Sequence, residues 1–579
     1  MNAPLLLAAA SGASRLAAGV LPGTGASGTG PLSIHVDYVS VLPELILLGG
    51  ALVVLGATSM MRRRMAVGTA TASTVVIGLA ALVASLVQWH QVTAHGASVA
   101  VMGAVAYDGF SALAATAVSS AVIVSALVID GWMRRETFAG PEMHVLAMVS
   151  ASGAMLMAAA NDLIVIFLGL EILSIALYVM AAMNHRRQES GEAALKYFVL
   201  GAFSSAVFLY GIALVYGATG TSNLPQIADF LARNVLLHNG VLLAGMSLLL
   251  AGFAFKIAAV PFHLWTPDVY QGSPTPVTGF MAAVAKVGGF AALLRVFITA
   301  FGLERTDWQP VVWILVILTV MLGSLVALAQ QDIKRMLAYS SINHAGFVLL
   351  GLQAATRRGI EGSLYYLFAY TFMVLGSFAV ITVVGGRGDG GHRLERYRGL
   401  AKERPWLAGS LTVLLVAQAG IPFTTGFWAK LEVLVPAVSA HSAAIAVVAM
   451  VSAVIAAFFY LRVVLYMYSP AQAGAAAPSG AGESKLVLSG APLSGASVSG
   501  PEPAVGAPEG EEEAAEAIPS GVERVAAEPG GSLVAGEVSA PSSPTLNLAI
   551  AICVGVTLVL GVWPAPLLDF ARTASHILV

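Results

Sequence analysis

The sequence predicts an all-α polytopic membrane protein of about fourteen transmembrane helices. Ten of these form two inverted five-helix repeats (spans four to eight and nine to thirteen), with broken helices at spans seven and twelve. Three observations predict this. Charged residues are only 10% of the 579, where a soluble protein carries about 25%. Hydrophobic residues are 58% and mean hydropathy is +0.83. Apolar runs of the roughly 20 residues that cross a bilayer core recur along the chain, and two of them are interrupted by Pro and Gly at corresponding places.

Taken in order, the runs cover residues 38–60, 66–88, 108–131, 143–160, 162–184, 192–217, 238–262, 275–301, 309–330, 334–355, 360–385, 406–436, 441–468 and 544–571. The fourth and fifth divide at Asn161-Asp162. This gives a unit of three helices at 38–131, a first repeat at 143–301, a second at 309–468 and a last helix at 544–571. Residues 1–37 read as a flexible or cleaved extension. A signal peptide there lacks its charged start, because Arg15 follows the apolar stretch. Residues 470–543, with 10 acidic and 2 basic residues among Pro, Gly, Ala and Ser, read as a disordered cytoplasmic linker.

Loop charges set the orientation. Loops following odd-numbered spans hold fifteen Lys and Arg, among them Arg62–64, Arg134, Arg135, Arg186, Arg187, Lys334 and Arg335; the others and the tails hold six. The positive-inside rule places the odd loops in the cytoplasm and both termini outside.

Charge and cysteine content exclude other classes. A net charge of −2 provides no field to hold nucleic-acid phosphates. The single cysteine, Cys553, forms no internal disulfide and ligates no cluster by itself.

Six basic residues lie inside spans: Lys196, Lys256, Lys286, Arg295, Lys430 and Arg462. Arg462 is near a span end and reads as an anchor, and Arg295 reads as either structural or functional, with a route to snorkel outward. Lys196 is one turn into its span; Lys256 and Lys286 are deep; Lys430 follows a Pro/Gly break; Glu171 is at mid-span. Each such charge costs about 2.5–3.5 kcal/mol at the bilayer centre, so the set reads as an ion or proton path. Lysine suits proton transfer, since burial loosens its proton and a nearby carboxylate tightens it, whereas arginine stays protonated.

Span seven contains AFKIAAVPFHLWTPDVY at 254–270, where Pro261 removes a backbone bond and Pro267 is expected to end the helix. Lys256 and His263, seven apart, share a face if the helix continues. Span twelve contains AQAGIPFTTGFWAK at 417–430. The Pro-Phe pairs at 261 and 422 are 161 residues apart. Five helices per block inverts the second block, the pattern of transporters whose binding path lies at broken helices. His263 and His344 are further candidate relay groups.

These segments, with LIVIFLGLEILSIALYVM at 163–180, EAALKYFVLGAFSSAVFLYGIALVYGATG at 192–220 and IKRMLAYSSINHAGF at 333–347, resemble the N subunits of proton-translocating NADH–quinone oxidoreductase, respiratory complex I, over about residues 35–468. The resemblance implies a membrane-arm subunit in which Glu171 and Lys256 are a charge pair, Lys286 is the central relay lysine, Lys430 serves the outward half-channel, and Lys196 and His263 lie on the same polar axis. It implies no cofactor on this chain, with FMN and Fe–S clusters on partner subunits, quinone used by the complex, and a place among other membrane subunits in a bacterial inner membrane. The linker at 470–543 departs from the family pattern. A subunit of a multisubunit cation/proton antiporter, and an ion-silent scaffold subunit, stay open as alternatives.

Overall fold

The computed structural model describes residues 37–60, 65–234, 239–440, 442–470 and 543–577. The expected N-terminal extension, the acidic linker and Arg62–64 lie outside the described residues, apart from Asp37, Pro470 and Ser543 at their edges.

The described chain is helical almost throughout; its one sheet is an antiparallel pair, β1 (Ser98–Ala100) and β2 (Val105–Tyr107). α1 (Leu42–Met60), α2 (Val67–His95) and α3 (Gly109–Glu136) form the first unit. The first repeat is α4 (Glu142–Ala159), α5 (Leu163–Ala181), α6 (Gln188–Thr219), the surface helix α7 (Leu224–Arg233), α8 (Gly240–Ile257), the short α9 (Trp265–Gly272) and α10 (Thr275–Ala300). The second is α11 (Arg305–Ala329), α12 (Ile333–Gln353), α13 (Arg357–Val384), α14 (Pro405–Ala419), α15 (Thr425–Ser439) and α16 (Ala443–Tyr468). α17 (Pro544–Val562) and α18 (Ala565–Ala574) close the chain.

Twelve of the described helices are long and apolar enough to cross a membrane. The expected tenth and twelfth segments are helical but differ in kind. α12 carries Ser340, Ser341, Asn343, His344 and Gln353, all buried, so it faces protein rather than lipid and needs no apolar surface. The twelfth is divided into α14 and α15, as its length requires, since 406–436 in one helix would be about 46 Å long. α3, α10 and α13 are likewise buried nearly all round, whereas α1 and α6 bury only 28% of their apolar windows and show large apolar side chains outward.

The repeat is written into the backbone. Asp162 caps α5 through the Ile164 N–H and Asp332 caps α12 through the Arg335 N–H. Flanking Asp162, Leu163 donates to the Ser222 carbonyl (2.9 Å) and Leu224 to that of Asn161 (3.0 Å). At positions 170 residues later, Ile333 donates to His392 (2.8 Å) and Leu394 to Gln331 (2.9 Å). Gly153, pressed on the Gly169 carbonyl and the Leu173 N–H, is matched at the same offset by Gly323 against Tyr339 and Asn343. A Cβ at either glycine would overlap backbone, so these helix pairs cross at closest approach. The offset shrinks to 162 at the breaks, where α8 ends on left-handed Ala258 (φ 62°) and α14 on left-handed Gly420 (φ 88°). The first repeat spends the difference on α7.

Three expectations are corrected. Pro267 does not end span seven: the helix stops ten residues earlier at Ile257, and Pro267 lies in the first turn of α9, where its missing N–H has no helical partner to lose. Lys256 and His263 share no helical face, because residues 258–264 are not α-helical. The last segment is two helices, turned between Val562 and Ala565 next to Pro564, rather than one span over 544–571.

Candidate functional site

Lys256, in the last turn of α8, is buried (4% exposed) and donates to the Ser174 hydroxyl at 2.7 Å. Its ammonium stands 5.8 Å from the centre of the Tyr197 ring. Glu171, one turn before Ser174 on α5, acts on Lys256 electrostatically, but the two make no direct ion pair. Glu171 is half-buried, and its Oε1 is buried with no hydrogen-bond partner among the described residues.

Lys286, also 4% exposed, follows directly on a π-helical turn, Met281–Ala285. A turn of that kind offsets the hydrogen-bond ladder and is found preferentially where a helix does chemistry. Lys286 Nζ donates to the Ser341 carbonyl and faces the Tyr370 ring at 5.7 Å. The Ser341 hydroxyl is 3.5 Å from that of Tyr270, on α9.

His344 carries the line onward. Its Nδ1 is 2.6 Å from the Tyr366 hydroxyl and its Nε2 3.0 Å from that of Tyr460. Tyr460 also meets Ser340. Lys286 and Lys430 are both near enough to act on His344 electrostatically. Lys430 on α15 (6% exposed) donates to the Ala419 carbonyl at 2.7 Å, and its ammonium lies 5.1 Å from the Phe347 ring. It thereby occupies the negative end of the half-helix α14 that the break exposes.

Lys196 and His263 share none of these hydrogen bonds. Lys196 is 43% exposed and pairs with Glu192 (2.7 Å) and Asp268 (3.0 Å) at a polar cavity of about 350 Å³ that opens on the basic face. His263 is buried in the 258–264 break, with its Nδ1 unpartnered among the described residues.

Residues 160–456, just over half the chain, match the family described as NADH:quinone oxidoreductase/Mrp antiporter, TM. The chain belongs to this family. It is 47% identical over 345 residues to the NADH-quinone oxidoreductase subunit N of Trichlorobacter lovleyi, covering 60% of this chain and 71% of that one. It is 42% identical over 461 residues to the subunit N of a Parafrankia species, covering 75% and 86%. A chain of respiratory complex I from Thermus thermophilus superposes with a TM-score of 0.67 at 28% identity, covering 91% of this chain and 98% of that one. A chain of the Mrp complex from Dietzia superposes with a TM-score of 0.72 at 20% identity, covering 93% and 96%, a likeness of fold.

Within this family fold the two arginines of the spans are each held by fixed protein acceptors. Arg295 does not snorkel: it is fully buried, forms a forked pair with Asp108 (2.8 and 2.9 Å), and donates from Nε to the Ala158 carbonyl. Asp108 in turn caps α3 through Ser111. Arg462 caps the end of α11 through the Leu328 and Gln330 carbonyls, both at 2.7 Å.

Sequence reasoning missed the hydroxyl groups between the lysines: Ser174, Tyr197, Tyr270, Ser341, Tyr366, Tyr370 and Tyr460. Serines and tyrosines are common on apolar helices and single out nothing alone. The 170-residue offset is the signal that finds two of them, since it sets Ser174 against His344 and Glu171 against Ser341. A second group was also unforeseen. Asp389, in the loop after α13, accepts from the Thr275 N–H (2.9 Å) and hydroxyl (2.6 Å) at the start of α10, with Lys334 at 3.9 Å and His392 at 3.4 Å. Burial alone would raise its carboxyl, but Lys334, His392 and Thr275 hold it well below the usual carboxylate range.

Proposed function

We propose that this chain is the proton-carrying membrane subunit of a respiratory NADH–quinone oxidoreductase, and that Glu171, Lys256, Lys286, His344 and Lys430 are its relay. The observation that carries the reading is how the buried lysines are satisfied. Lys256, Lys286 and Lys430 face a hydroxyl or a carbonyl oxygen, and none has a carboxylate in direct contact among the described residues. Arg295, on the same helix as Lys286, has the forked carboxylate that a structural buried cation needs. A lysine left without one is poised to give up its proton.

In this reading, quinone reduction elsewhere in the complex shifts charge in a neighbouring membrane subunit. That charge acts on half-exposed Glu171. When Glu171 is ionised and close, Lys256 holds its proton; when its influence weakens, Lys256 releases the proton toward Lys286. The Tyr197, Thr266 and Ser273 hydroxyls in this region are buried without hydrogen-bond partners among the described residues, and polar atoms of that kind are served by water. His344 accepts the proton from the Lys286 side and passes it to Lys430, with the Tyr366 and Tyr460 hydroxyls fixing its ring. The flavin, the clusters and the quinone belong to partner subunits. The face bearing Arg134, Arg186, Lys334 and Arg335 is cytoplasmic, and both termini lie outside a bacterial inner membrane. Lys196 and His263 stand beside this line rather than in it.

The test is NADH-driven proton pumping in vesicles holding the assembled complex with Lys286→Ala. Loss of pumping supports the relay. Wild-type pumping would contradict it and favour the scaffold reading.

A further inference from the structure

We propose that Asp268 is a positioning residue that sets the Tyr270 hydroxyl on the proton line. α9 is an eight-residue helix with no helical continuation on either side: 258–264 precede it and Ser273-Pro274 follow. Something other than the helix must fix its rotation. At its start, Trp265 donates to the Phe255 carbonyl (3.0 Å) and stacks on Tyr197 at 4.6 Å. At its middle, Asp268 takes Lys196 of α6 on one oxygen (3.0 Å) and Arg335 of α12 on the other (2.7 Å). Arg335 reaches Gln271 as well (3.1 Å). One carboxylate thus ties α9 to a helix of each repeat, across the mouth of the 350 Å³ cavity.

Residues two apart on a helix point to opposite sides. Asp268 faces the mouth, so Tyr270 faces inward, where its hydroxyl meets Ser341, the residue whose carbonyl holds Lys286. Rotating α9 would break both relations at once. At 31–43% exposure these ion pairs add little stability by themselves. Their consequence is geometric.

The inference rests on the relay reading. It is tested in the intact complex, reconstituted in liposomes, by protons moved per NADH oxidised. D268N is expected to lower pumping by about fivefold, and D268E to restore at least half of it. Y270F is expected to lower pumping too, and the D268N/Y270F pair to fall no further than the worse single variant, since both act on one contact. Losses that multiply in the pair, wild-type pumping in D268N, or a D268E as impaired as D268N would each overturn it. Where D268N does not assemble, R335Q removes one arm, and its loss should likewise fail to add to that of Y270F. Normal pumping in K286A sinks the relay reading itself; lost pumping in K286A beside normal pumping in D268N sinks only the role of Asp268.

Discussion

Lys256 donates to the Ser174 hydroxyl at 2.7 Å, and Ser174 stands one turn beyond Glu171 on the same helix. The hydroxyl itself donates to the Leu170 carbonyl, and the carboxylate influences the lysine through space rather than by contact. That arrangement lets a modest change at Glu171 alter the proton affinity of Lys256, where a direct buried pair would lock it. Ser174→Ala leaves the ammonium without its acceptor, a loss of about 1–3 kcal/mol. NADH-driven pumping is expected to slow about tenfold or more, and Ser174→Thr, which keeps a hydroxyl, to recover most of it. Equal pumping in the Ala variant and wild type would show that the hydroxyl has no part in the transfer.

In the proposed relay, His344 joins Lys286 to Lys430. Replacing it with Phe keeps ring volume and removes both nitrogens. Pumping should fall by 10²-fold or about that, the range for loss of a proton-transfer group, while the complex still assembles. Tyr460→Phe, which removes one of two bonds to the ring, should cost less. The two variants measured side by side check the order.

Arg295 and Asp108 form a fully buried forked pair, expected to serve the fold rather than the relay. Arg295→Ala strands a buried carboxylate, for which about 3–5 kcal/mol is expected. The amount of assembled complex in the membrane should drop, and proton translocation per surviving complex should not. A variant that assembles normally but pumps poorly would move Arg295 into the relay.

Asp389 ties the loop after α13 to the start of α10, the helix that bears Lys286. Its carboxyl is held below the ordinary range. A depressed folded-state pKa contributes stability that is complete above the unfolded value, about 3.9, and is lost progressively as pH falls from there through the lower folded value. The destabilisation in Asp389→Asn, read as the midpoint of thermal unfolding of the purified complex, should be no smaller at pH 5 than at pH 7, since His392 beside it can only gain charge as pH falls. A deficit that vanishes by pH 5 would contradict this assignment.

The all-α membrane fold and the broken helices were legible because apolar runs, Pro and Gly act locally. Three buried lysines were legible because a charge in an apolar run stands out. Distance hid the rest. Arg295 meets its partner 187 positions away, so nothing around it in sequence separates clamp from relay. Lys196 reads as buried from its place in an apolar run, yet α6 is an outer helix and its first turns reach the basic face. The shared face inferred for Lys256 and His263 required an unbroken helix, and Ala258 in the left-handed conformation ends it. The Ser and Tyr partners emerge only when α5, α12, α13 and α16 are brought together.

In the proposed relay Lys256 moves protons and does not merely fill the bundle. The most direct measurement is proton pumping, with NADH oxidation alongside, in membranes carrying Lys256→Ala in the assembled complex. Both are expected to fall together while the amount of complex is kept. If both stay at wild-type levels, Lys256 carries no protons, and its bond to Ser174 is structural.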